Sequence, residues 1–132
     1  MSPGEPSPGS AQHWLARSAG HLAIARQPKP PEGYWEDLAF HAHQAAELAL
    51  KAVYQHHGLL FRFTHNLGEL ATGLEKSGIP LSPAVKEAAI LTRFAVQTRY
   101  PGLSAPATQE EHERAVRIAE GVVDWARRII GQ

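Results

Sequence analysis

Along most of this chain the apolar residues return every three or four positions, and each run is cut by proline or glycine before the next begins. That spacing commits the backbone to helices, because it gathers one apolar stripe per helix, whereas a half-buried strand needs strict alternation. The first run is Ala11, Trp14, Leu15, Ser18, Leu22 and Ala25, with Ser10 as N-cap and Pro28, Pro30 and Pro31 closing it. The second and longest is predicted from near Tyr34 to His57, with Trp35, Leu38, Ala42, Ala46, Ala49 and Val53 inward and Gly58 as a left-handed stop. After the linker Leu59 to Thr64, with Thr64 as cap, a third helix turns Leu67, Leu70, Ala71 and Leu74 inward and ends before Gly78 and Pro80. Ser82 followed by Pro83 opens a fourth through Ala84, Ala88, Leu91 and Ala95, stopped by Pro101 and Gly102. Thr108 and Glu111 form a capping-box pattern ahead of the fifth, whose stripe is Ala115, Ile118, Ala119, Val122, Ala126 and Ile129. The expected fold class is therefore all-α, an antiparallel bundle of about five helices joined by short loops.

At 132 residues the chain is the size of one domain. Pro3, Gly4, Pro6, Pro8 and Gly9 mark residues 1–9 as a disordered arm that lacks the basic start and apolar run of a signal peptide, leaving 10–132 as the helical domain. No apolar stretch approaches the roughly 18 to 20 residues needed to cross a bilayer, so no membrane partner is expected. The absence of cysteine rules out a disulfide framework and thiol chemistry and suits a cytoplasmic location. Thirteen basic residues against thirteen acidic ones exclude the strongly basic surface of a general nucleic-acid binder, so any such contact must be local.

The second helix reads His41, Ala42, His43, Gln44, Ala45, Ala46, Glu47, Leu48, Ala49, Leu50, Lys51, Ala52; the third opens His65, Asn66, Leu67, Gly68, Glu69, Leu70; the fourth ends Arg99, Tyr100, Pro101. In that order and spacing, over about residues 10–130, these pieces resemble the HEPN (higher eukaryotes and prokaryotes nucleotide-binding) domain family. The resemblance implies a helical bundle, frequent dimerisation and frequent pairing with a minimal nucleotidyltransferase, and it admits toxin and antitoxin roles. Many members are metal-independent endoribonucleases in which an Arg precedes a His by four to six intervening residues. Such a pair fits the chemistry, since His takes the proton of a ribose 2'-hydroxyl while Arg neutralises the adjacent phosphate. Counting from Arg99, the permitted positions hold Ser104, Ala105 and Pro106; from Arg93 they hold Thr98, Arg99 and Tyr100. His112 lies too far along, so no catalytic residue is assigned.

The candidate cleft residues are Arg99, Tyr100, Lys51, Glu47, His65 and His43. Glu47 and Lys51 have the order and spacing of a surface ion pair, and His43, Glu47 and Lys51 share one polar arc that Phe40 and Leu48 interrupt. His65 is best explained by its place at the start of the third helix, where an imidazole satisfies a backbone group or packs under the neighbouring turn, with a cleft role as the alternative. Arg99 suits the negative end of a helix dipole, and its fork also suits a phosphate, with Tyr100 stacking or hydrogen-bonding beside it. Eight histidines raise a metal site, with His43 and Glu47 at helical ligand spacing and His41, His56, His57 and His65 as further donors. Without an HExxH motif or a cysteine, no metal and no cofactor is expected. On the last helix Arg114, Arg117, Arg127 and Arg128 alternate with Glu111, Glu113, Glu120 and Asp124 as a solvated face.

The function expected from these features is a non-catalytic domain that binds a nucleotide or RNA phosphate, partnered with a minimal nucleotidyltransferase. The alternatives are a ribonuclease with an atypical base and a purely structural helical dimer. Val116, Val123 and Ile130 form a second apolar stripe on the last helix, which together with Phe40 and Leu48 predicts a homodimer or higher even oligomer.

Overall fold

The computed structural model describes residues 9–95 and 105–131. Helix α1 spans Ala11–Ala25, α2 Trp35–His56, α3 Leu67–Lys76, α4 Pro83–Glu87 and α5 Gln109–Ile130, and a 3-10 segment, Ala88–Phe94, continues α4. The class is all-α, as the periodicity predicts.

Helix α2 sits at the centre, packed by α1, α5, α3 and the 3-10 segment. Its alanines explain how so many neighbours fit: Ala39, Ala42, Ala45, Ala46, Ala49 and Ala52 are fully buried, and a methyl group keeps adjacent backbones close. Polar groups trapped in these contacts mostly find partners, though the buried His112 Nδ1 has none among the described residues. Ser18 of α1 donates its hydroxyl to the Ala45 carbonyl of α2 (2.6 Å), and His112 of α5 donates through Nε2 to the Ala25 carbonyl that ends α1 (2.8 Å). His112 is buried beside Trp35, with ring centroids 5.1 Å apart.

The helix starts follow local chemistry. Ser10, Ser82 and Thr108 cap α1, α4 and α5 as expected, and Thr108 with Glu111 completes the capping box. The cap of α3 is Asn66, whose side chain accepts from the Glu69 N–H; Thr64 instead accepts from the Asn66 N–H (3.1 Å), two residues outside the position predicted for it. Gly58, at φ 66°, turns the chain out of α2, and the Leu59 N–H returns to the Tyr54 carbonyl (2.9 Å).

Two further expectations are corrected. The fourth helix is α-helical only to Glu87. From there the buried residues Val85, Ala88, Leu91 and Phe94 recur at a strict period of three. A 3-10 helix aligns i with i+3, whereas on an α-helix each three-residue step rotates the stripe by about 60° and Phe94 would leave the core. Ala84 and Ala95, placed in the core by α spacing, are half-buried instead. The second correction concerns α5, where Val123 and Ile130 belong to the core of this single chain, Trp125 is buried with them, and Val116 is half-buried. The stripe is not surplus. Helix α1 packs on this flank of α5, where His112 reaches the Ala25 carbonyl and Glu120 the Arg26 guanidinium. On the far flank Gly121 lets α4 approach closely, since a Cβ there would overlap the Ala84 methyl. The Trp125 indole donates to the Pro80 carbonyl (3.1 Å) on the same side.

Candidate functional site

The polar arc of α2 does not face solvent. His43, Glu47 and Lys51 are 0 %, 4 % and 5 % exposed, because α3 and the linker before it close over the side that helical projection leaves open. The pair predicted at the surface therefore forms in the interior, with Lys51 Nζ donating to Glu47 Oε2 at 3.0 Å. Glu47 uses its other oxygen for His65, whose Nδ1 donates to Oε1 at 2.8 Å. His43 completes the cluster from below: its Nε2 donates to the His65 carbonyl (2.9 Å) and lies 3.9 Å from Glu47 Oε1. Burial holds the His43 imidazole below its ordinary value, against the raising pull of that carbonyl and of Glu47. A neutral ring carrying its proton on Nε2 suits this position.

The roof of the cluster is aromatic. Lys51 Nζ lies 5.3 Å from the Phe61 ring centre and 5.7 Å from that of Phe63, within cation–π range. Trp14 of α1 and Tyr54 of α2 meet Phe61 edge-on, at 5.6 and 5.5 Å between centroids. Tyr54 donates its hydroxyl to the Leu70 carbonyl (2.7 Å), and Gly73 makes the approach possible, since a Cβ there would overlap that hydroxyl. Burial, then the Glu69 carboxylate, pushes the Tyr54 phenol above its ordinary value, so it stays protonated.

Outside this roof lies an open groove of about 530 Å³ between the linker and α3, lined by Tyr54, Leu60, Phe61, Arg62, Glu69 and Lys76 among others. Phe61 is the wall between groove and cluster. The groove has volume but no set of buried charges converging on it; the cluster has the charges, but of its four members His43, Glu47 and Lys51 are buried and His65 has a side chain 58 % exposed. Around that opening the linker projects Phe63 (97 % exposed) and Arg62, whose guanidinium pairs with Glu69.

The structure thus joins four of the six predicted site residues, His43, Glu47, Lys51 and His65, in one network. Arg99 and Tyr100 lie outside the described residues. Reading the sequence for helices missed Phe61, Arg62 and Phe63, although the alternation of aromatic and cationic side chains through Phe61, Arg62, Phe63 and His65 is a signal of its own. Among the described residues no group of three or more His, Cys, Asp or Glu side chains is arranged to hold a metal ion.

The HEPN domain family model matches residues 11–129, nearly the whole chain. The chain belongs to the HEPN domain family. No curated protein and no solved structure matches it. In this HEPN domain no described helix is long and apolar enough to cross a membrane. His112 is committed to the Ala25 carbonyl and the Trp35 ring, apart from the cluster on α2.

Proposed function

We propose that this HEPN domain binds the phosphate of a nucleotide or RNA at the linker between α2 and α3, without cleaving it, as partner of a minimal nucleotidyltransferase. The observation that supports this best is the fixing of His65. A buried carboxylate takes its Nδ1, so Nε2 is the nitrogen left for a ligand, at the edge where Arg62 and Phe63 are exposed. A guanidinium fork and an imidazole suit phosphate oxygens, and an exposed phenyl ring suits the face of a base. Lys51 contributes indirectly: its charge is matched by Glu47, and its role is to hold the carboxylate that orients His65. Arg99 and Tyr100 join the site in this proposal through the family's RYP segment. Binding is favoured over cleavage because no histidine stands at the ribonuclease spacing from Arg93 or Arg99.

Calorimetry with nucleoside mono- and triphosphates and a short RNA tests the reading. Each of His65→Ala and Arg99→Ala is expected to weaken binding about tenfold or more, the value of a hydrogen bond to a charged group. Absence of heat with every ligand leaves the helical scaffold as the function, and metal-independent RNA cleavage abolished by Arg99→Ala makes the domain a ribonuclease.

Assembly as a homodimer or higher even oligomer is part of the same proposal. It rests on Phe40 and Leu48, half-buried on α2, and on exposed Leu60. Sedimentation at micromolar concentration should give a dimer that Leu48→Asp weakens; a monomer in both cases removes it.

A further inference from the structure

Helices α1 and α2 share a second histidine contact, apart from the cluster under Phe61. His21 Nδ1 and His41 Nδ1 are 3.0 Å apart, the rings are inclined by only 21°, and their centroids are separated by 5.2 Å. That centroid distance is roughly the nitrogen separation plus one ring radius at each end. The rings therefore meet edge to edge in nearly one plane, nitrogen facing nitrogen.

Such a contact tolerates one protonation pattern. Two bare lone pairs repel, and so do two N–H groups; only one N–H against one lone pair makes a bond. A shared metal ion is a poor alternative, because two ligand lone pairs must converge on a point to the side of the line joining the nitrogens, and these are aimed at each other. We propose that His21 and His41 form a one-proton clasp between α1 and α2, closed while a single proton lies between the two Nδ1 atoms and opened when acid supplies a second. A first extra proton can enter on an outer Nε2 without breaking the bond, and the second places two N–H donors head to head.

The surroundings favour the closed form. The groups that act on His21 are His41 across the contact and Arg17 one turn back on α1, and both oppose a positive charge. Burial first, then these two groups, hold the His21 imidazole below its ordinary value of 6.5. The unfolded chain, with an ordinary imidazole, takes up the proton earlier as the pH falls. The contribution of the clasp is therefore complete above pH 6.5 and is lost as acid moves from there through the lower folded value.

Two measurements on the full chain decide the matter. Long-range nitrogen-15 spectra of the histidine rings at pH 7 should show one proton shared by the two Nδ1 atoms, so that one is a donor while the other is an acceptor. Both protonated or both bare overturns the clasp, and this needs no variant. Denaturation between pH 7.5 and 5 then compares wild type with His21→Asn, which places an amide near Nδ1 but cannot charge, and with His21→Ala. The folding equilibrium of the wild type should fall more steeply than that of His21→Asn, by at most about tenfold per pH unit for one proton. His21→Ala should lose stability already at pH 7.5. Because His43 titrates in all three proteins, the difference isolates His21. Parallel pH profiles for wild type and His21→Asn overturn the proposal.

Discussion

Two neighbouring segments meet at Phe61 and invert the usual rule of inside and outside. On α2, Glu47 and Lys51 are buried and bonded to each other; about ten residues on, Leu60 and Phe63 stand almost fully in solvent. The difference lies in position, not polarity. Helix α2 is the centre of the bundle, so even its polar arc acquires neighbours, and every charge on that arc must then be matched. The linker is the last layer: Leu59 and Phe61 pack against the core, while Leu60 and Phe63 have nothing described above them. Burial on α2 therefore reads as architecture, while exposure on the linker reads as a surface kept for contact.

The largest expected effect breaks the inner half of this contrast. Glu47→Ala removes the carboxylate that accepts from both Lys51 and His65, and leaves a buried ammonium group with aromatic rings beside it but no counter-charge. Losing one partner of a buried pair costs about 3–5 kcal/mol, which chemical denaturation would register as a large fall in midpoint. Replacing both, as Glu47→Leu with Lys51→Met, should restore most of that stability, because two apolar groups of similar size leave no charge to satisfy. If the double variant is as unstable as the single one, the network contributes more than the mutual cancellation of its charges.

Gly73→Ala, the next in size, acts at the seam between the two segments. The added methyl overlaps the Tyr54 hydroxyl, so either α3 moves out or Tyr54 gives up the Leu70 carbonyl and tilts into Phe61. Overpacking of this kind costs about 1–3 kcal/mol. Tyr54→Phe in the same background removes the clashing oxygen and should recover part of the loss; no recovery would place the strain elsewhere in α3.

How far the sequence discloses this arrangement depends on whether the deciding signal is local. The capping box of α5 and the serine caps of α1 and α4 are legible because Thr108, Ser10 and Ser82 act within a single turn. The break after Glu87 was written in the spacing of Val85, Ala88, Leu91 and Phe94, but a period of three and one of 3.6 share Ala88 and Leu91, and the choice is made by what covers Phe94. The burial of His43, Glu47 and Lys51 was not legible in α2 at all, since a helical projection separates faces without saying which of them another element will cover. The same limit hid the place of Val123 and Ile130 in the core, which depends on α1 packing against that flank of α5.

The smallest expected change in stability tests the outer half of the comparison. Phe63→Ala deletes a ring that is 97 % exposed and touches the cluster only through a cation–π contact of 5.7 Å to Lys51. A surface substitution away from caps, cores and networks stays within about ±0.5 kcal/mol, so the unfolding midpoint should hardly move. Its effect on ligand should be much larger in proportion. If a base stacks on this ring, truncation costs about 1–3 kcal/mol of binding, a loss of roughly 5- to 150-fold in affinity, and Phe63→Tyr should keep most of it. A variant as stable as wild type that also binds equally well would make Phe63 ordinary exposed surface and leave His65 and Arg62 as a phosphate site without a base platform. A variant that loses both stability and binding would mean that the ring supports Lys51 from outside, and that the linker belongs to the inner network after all.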